Sequence, residues 1–281
     1  PIGTSCPQGP QGPAGALTAQ KNFFVTDGNT SVTSTGCHNT AIGQGSGCSL
    51  TFGKYNFFAG RCAGYSNTTG TYNNFLGFNA GRSNTTGSNN TFLGYNAGQR
   101  NLVGSNSVYI GYNAGCYSIG ARNLFLGNYA GINNDTGYHN TFIGYCAGRG
   151  NTTGIYNTFF GYWAGLSNNT GSCNTFLGYY AGCGTTSGYQ NTFLGHFAGS
   201  SNNTGFRNIF VGPYAGRSNT SGCYNMAFGV EAGRFNTTGG RNVFMGRCAG
   251  YSNTSAACNM FIGYHAGKGN TTGCRNTYLG Y

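Results

Sequence analysis

The chain has 281 residues, including 53 glycines, 21 tyrosines, 21 phenylalanines and 12 cysteines; only 6% are charged, yet 14 Lys and Arg against 3 Asp and Glu leave a formal charge of +11. Its three acids, Asp27, Asp135 and Glu231, share no motif, which argues against the carboxyl pair of a glycosidase and the oxygen cradle of a calcium site. The scarcity of good helix formers argues against a helical bundle, and no run of 18 apolar residues offers a membrane span.

Residues 7–15 read Pro-Gln-Gly, Pro-Gln-Gly, Pro-Ala-Gly. These are triplets of the collagen type, so residues 1–15 are assigned a collagen-like Gly-X-Y segment. Three triplets cannot hold a triple helix alone. They read as the end of a longer collagen segment or as a trimerising stub, with a plain Pro/Gly linker as the other reading. Residues 16–38 are expected to form a linker or entry cap. The final repeat stops in mid-coil at Tyr281, an open strand edge expected either to continue into more chain or to meet another subunit.

From residue 39 to residue 281 one tandem repeat fills the chain. A reference glycine recurs from Gly43, Gly60, Gly77 and Gly94 to Gly263 and Gly280, every 17 residues except for one step of 16 between Gly111 and Gly127. The missing residue falls in the turn Ser118-Ile119-Gly120, which replaces the usual Asn-Thr-Thr-Gly. Four residues before the glycine stands Asn, except for Ser107. Two before it stands an aromatic residue, except for Ala41 and Ala227; one before it, a large apolar residue. Ala-Gly follows at three and four after it, from Ala63-Gly64 to Ala266-Gly267, and Asn-Thr-Thr-Gly or a relative at seven to ten after it.

A stretch such as Asn-Thr-Phe-Leu-Gly-Tyr suits a short strand, Ala-Gly a tight corner and Asn-Thr-Thr-Gly a turn. A single repeat cannot bury its apolar side, whereas stacked repeats bury a continuous stripe. The sequence therefore predicts an all-β fold over 39–281: a parallel β-solenoid, or β-roll, of about 14 coils of 17 residues. Adjacent aromatic and aliphatic columns point to opposite faces of a strand. One fills the coil and the other needs a second cover, so the solenoid is expected to be trimeric or laterally packed. Asn73, Asn90, Asn140, Asn157 and Asn174 are expected to stack as an amide ladder, and Phe75, Phe92, Phe159, Phe176 and Phe193 as an aromatic one.

With those columns in view, the strand Asn-x-Phe-Leu/Ile-Gly followed by x-x-Ala-Gly resembles the head repeats of trimeric autotransporter adhesins. The longer Asn-Thr-Phe-Leu-Gly-Tyr-x-Ala-Gly-x-x-Asn-Thr-Thr-Gly form is similar to repeats of tail-fibre-like surface proteins. The resemblance covers about residues 39–281 and implies a parallel β-roll packed as a trimer. The period, the cysteine content and the lack of a membrane anchor depart from the autotransporter pattern.

Few residues offer chemistry. Cys37/Cys48, Cys173/Cys183 and Cys248/Cys258 lie 10 or 11 residues apart and are read as candidate disulfides of an extracellular protein; buried reduced thiols are the plainer reading. No Cys-x-x-Cys occurs, and His38, His139, His196 and His265 show no metal-ligand spacing, so neither a metal nor a cofactor is expected. Arg82, Arg149, Arg217, Arg234 and Lys268 share one column and Arg122, Arg207, Arg241 and Arg275 another. The first is a candidate contact for a polyanion, a glycan or an anionic surface, against the ordinary reading of a solubilising edge. Ten Asn-x-Ser/Thr sequons, from Asn67 to Asn270, share a third column that turn chemistry already explains.

Taken together, these features lead to a structural, non-enzymatic subunit of an extracellular, cell-surface or virion-surface fibre. Its main partner is expected to be itself, as a homotrimer or an end-to-end filament, with no specific nucleic acid. A receptor- or glycan-binding adhesin or tail-fibre shaft is the alternative, with Tyr95, Tyr112, Tyr145, Tyr162 and Tyr179 exposed for stacking. Ice binding ranks lower, because the threonine column of the strand is broken by Phe57, Leu124, Ile209 and Met260.

Overall fold

A computed structural model describes residues 21–26 and 34–281; the collagen-like segment expected over 1–15 lies outside the described residues. The chain divides into two compact units, residues 1–139 and 140–281. In the first, seven three-residue strands, β1 (Phe23–Val25) to β7 (Leu124–Leu126), pair in parallel and in register. In the second, nine such strands, β8 (Thr141–Ile143) to β16 (Thr277–Leu279), do the same. Each strand is the same stretch of successive repeats, so Phe142 lies opposite Phe159, Phe159 opposite Phe176 and Phe176 opposite Phe193. No helix occurs among the described residues. The fold is the parallel β-solenoid that the 17-residue period predicts. Strand β1 falls inside the segment read as linker or entry cap and pairs with Thr40–Ile42.

Backbone bonding between coils does not stop at the strands. In the second unit Tyr180 N donates to Tyr162 O (3.0 Å), Gly182 N to Ala198 O (3.0 Å), Asn169 N to Thr186 O (2.9 Å) and Gln190 N to Ser172 O (3.0 Å). Corners and turns are therefore laddered like the strand. This satisfies the backbone polar groups that a coil of mostly irregular conformation would otherwise leave bare.

Two corners per coil bend through left-handed backbone. From His38 onward, every non-glycine residue of positive φ lies either five before or two after the reference glycine: Tyr156, Cys173, Gln190 and Arg207 in one column, Cys146, Trp163, Tyr180 and Phe197 in the other, these eight all near +54° to +60°. Such a residue costs roughly 1–2 kcal/mol. The corners accept many side-chain types because the ladder on either side fixes the path. The reference glycine has no such latitude. Gly161 has φ +140°, and a Cβ there would lie 2.4 Å from the carbonyl oxygen of Gly178.

The interior is one file of rings. Phe142, Phe159, Phe176, Phe193 and Phe210 are fully buried or nearly so, and successive rings lie 4.8–4.9 Å apart, almost parallel. Opposite each ring sit the buried alanine and the glycine of the Ala-Gly corner. A Cβ on Gly182 would strike the Phe176 ring at 2.5 Å, so the corner is small because the ring needs the space. Where Ala227 interrupts the file, the next ring leans into the gap: Phe244 lies against both Gly233 and Gly250 and is tilted 26° from Phe261. Phe58 sits in the same way beside Ala41 and Gly47.

Gly161→Ala is expected to destabilise the second unit by about 3 kcal/mol, whereas Cys173→Gly should be neutral or stabilising by up to about 1 kcal/mol. Urea denaturation followed by circular dichroism checks the pair, and the reverse order of midpoints would refute this account of the corners.

Candidate functional site

Two amide ladders line the coil interior. In the column before the strand, Asn174 Nδ2 donates to Gly188 O (2.8 Å) across the coil, and its Oδ1 accepts from Asn191 N (3.0 Å) on the next coil. The bridges from Asn73 (to Gly87 O), Asn90, Asn140 and Asn157 are also 2.8 Å long. The second ladder is the sequon column. Asn84 Nδ2 donates to Asn67 Oδ1 (2.8 Å) and Asn236 Nδ2 to Asn219 Oδ1 (2.9 Å), while each also holds the carbonyl of its own turn glycine. From Asn67 to Asn253 these sequon asparagines are buried. Both ladders exploit the fact that an amide carries a donor and an acceptor and so pairs with its own copy.

The outward strand face is different. The aromatic column fills the coil, and the aliphatic column faces away from it: Leu177 and Leu194 are each 40% exposed, with Phe160 at 50%. Tyr145, Tyr162 and Tyr179 continue this face at 41–45% exposure. Their rings stack on one another at 5.1 and 5.4 Å, so ring edges and hydroxyls meet solvent while the faces are largely taken up. From Thr141 to Val230 the outward strand columns contain no Lys, Arg, Asp or Glu.

The cationic column is not a continuous stripe. Arg82 belongs to the first unit, and Arg149 stands four coils before Arg217. Arg217 and Arg234 are on adjacent coils and both lie over the ring of Tyr214, at 5.5 and 5.3 Å. Arg234 is also ion-paired with Glu231, the one ion pair among the described residues. Lys268 is exposed two coils further on.

The disulfide expectation needs correction. Cys37, Cys173, Cys183, Cys248 and Cys258 are free thiols, and Cys48, which is disulfide-bonded, is not joined to Cys37. In a 17-residue coil the spatial neighbour of a residue is 17 away. A spacing of 10 places Cys173 at an exposed left-handed corner and Cys183 beyond the opposite Ala-Gly corner. Burial pushes the Cys116 thiol up to about 11, whereas Cys173, Cys258 and Cys274 are exposed.

One coil departs from the pattern inside and out. Tyr109 replaces phenylalanine in the buried file, and its hydroxyl meets Ser118 Oγ at 2.9 Å. Ser118 and Ser107 are short residues at ladder positions that carry asparagine on most other coils, and the space they free receives that hydroxyl. Burial raises the Tyr109 pKa. The ladder through Ser107 continues, since its Oγ accepts from Asn123 N (3.2 Å). The sequon ladder continues as well, Asn134 Nδ2 donating to Ser118 Oγ (2.9 Å). On the outside of this coil lies a groove of about 460 Å³, lined by Ser83, Arg100, Leu102, Tyr117, Ile119 and Asp135. Sequence reasoning marked Ser107 and the short turn separately. The signal that joins them is their coincidence with Tyr109 within one coil.

No protein-family model matches the chain, and neither a curated protein nor a solved structure is similar to it.

Iodoacetamide at neutral pH should modify Cys173, Cys258 and Cys274 in the folded protein and reach Cys116 only after denaturation; peptide mass mapping reads both. In a secretory host, the folded fraction should carry no glycan on Asn67, Asn168 or Asn219, because a sugar on Nδ2 would break the ladder there. Glycopeptides at those sites from folded material would contradict the buried ladder.

Proposed function

We propose that the chain is a structural, non-enzymatic subunit of an extracellular or virion-surface fibre whose copies pack side by side, as a homotrimer, through the outward strand face. The observation that carries this reading is the charge-free apolar face from Thr141 to Val230 on a chain of charge +11. Two copies of so cationic a protein repel one another everywhere except where the cations are missing. Its six strands, β8 to β13, at ~4.8 Å and about five residues wide, offer roughly 400–500 Å² per partner, a little over half of the ~800 Å² of a standard interface. The interior is already filled by its ring file, so the aliphatic column gains cover only from outside. The resemblance to trimeric adhesin heads and tail-fibre-like repeats points the same way.

The adhesin reading draws on the exposed tyrosines. Their mutual stacking leaves few ring faces for a sugar, and ridges of ring edges suit protein packing better. For ice binding, the turn threonines spend their hydroxyls within the stack, as when Thr220 Oγ1 donates to Thr237 O (3.1 Å) and Thr237 Oγ1 to Thr254 O (3.1 Å).

Phe160→Lys combined with Leu194→Lys places charges on alternate coils of the outward face. Sedimentation velocity should show an oligomer for the unaltered chain and a monomer for this variant, with the same circular dichroism. Thr204→Lys with Thr238→Lys, on the exposed turn, should leave the oligomer intact. A monomeric unaltered chain, or equal behaviour of both variants, would overturn lateral packing.

A further inference from the structure

We infer that the groove beside the short turn, in the first unit, is a saccharide-binding site; the inference stands whether or not the chain packs laterally. In a solenoid of near-identical coils, the informative positions are those where the repeat is abandoned. Eight residues after the reference glycine, other coils carry Thr or Asn, and the column departs from them only at Leu102, Ile119 and Asp135, on three consecutive coils. Six after it, where most coils carry Ser or Gly and the other departures are Asn133 and Phe235, stand Arg100 and Tyr117; with the three above they make five departures at one level. All five departures line one groove, together with Ser83, beside the one turn that is a residue short. Its volume of about 460 Å³ falls within the ~300–1,000 Å³ range of small-molecule sites, which combine apolar and aromatic walls with a few polar groups.

The lining fits a sugar in particular. Tyr117 is 43% exposed and belongs to no ring ladder. The Arg100 guanidinium lies 5.0 Å from its ring centroid, and the exposed part of the ring is offered to the apolar side of a pyranose. Asp135 accepts hydrogen bonds and Arg100 donates them, each with the planar two-point geometry that matches a pair of neighbouring hydroxyls. The two are not ion-paired with each other. The Asp135 main chain is fixed, its carbonyl accepting from Ile119 N (2.9 Å) and Gly120 N (3.0 Å). Leu102 and Ile119 supply the apolar wall. The tyrosine ladder of the strand face lacks the flanking carboxylate.

The test uses the full chain with four neutral disaccharides (maltose, cellobiose, lactose and chitobiose) and, as a competing chemistry, a capped phenylalanine tripeptide. Saturation-transfer NMR detects binding and isothermal titration measures it. At least one disaccharide should bind, and Asp135→Asn should weaken it by about tenfold, the loss of one charge-assisted hydrogen bond, with unchanged circular dichroism. Tyr117→Ala should weaken it at least as much, while Tyr179→Ala, on the strand face, should not. Failure of all four sugars, binding of the tripeptide alone, or sugar binding unaltered by both groove variants would each overturn the assignment.

Discussion

Within the stacked coils, a side chain has a copy, or a substitute for one, about 4.8 Å away on the next coil. That single constraint selects what each column can hold. An amide satisfies its copy, because it offers a donor to one neighbour and an acceptor to the other, and two asparagine columns run through the interior on that basis. An aromatic ring stacks on its copy. A carboxylate repels its copy, and the chain has three acids in all, far apart in sequence. Cations are tolerated at corners, where Arg217 and Arg234 can lie over the Tyr214 ring instead of facing each other bare.

The same constraint explains why stability is shared rather than local. The Ala-Gly corner is small because a ring presses on it. The ring is held because the corner is small, and the left-handed corners are held because backbone bonds on both sides of them ladder to the next coil. Removing a large residue from such a file is tolerated only if the next ring can lean over, as Phe244 does beside Ala227. The exceptions in the columns are therefore compensated pairs.

Much of this was legible in the chain itself. Period, strand location, the inward asparagines and the small corner follow from columns that repeat Asn90-Thr-Phe-Leu-Gly and Ala97-Gly98 many times over. The choice of which apolar column fills the coil was not, because Phe92 and Leu93 are both apolar and alternation alone does not choose between them. The ring is selected by its fit against Gly98, where a Cβ would lie 2.6 Å from it. The cysteine pairing failed for a related reason. Sequence distance was read as though the coil were a hairpin, whereas contact in a solenoid follows the period, so Cys173 and Cys183 occupy different corners. The groove was illegible because its residues are spread over four coils, from Ser83 to Asp135, and converge only once the coils are superposed.

A repeat makes most of its surface redundant, and a partner that reads one column can bind at many registers. A single place where the repeat is broken is different, because it marks one address along the stack. Here the break is built in depth. The outer groove sits above an inner substitution in which Tyr109, Ser107 and Ser118 exchange bulk for reach, and the Tyr109 hydroxyl keeps its bond to Ser118. Ser118 Oγ also accepts from Asn134 Nδ2 (2.9 Å), so the substituted coil stays tied to the coil after it, while its outer surface carries Arg100, Leu102, Tyr117 and Ile119, residue types found nowhere else in their columns.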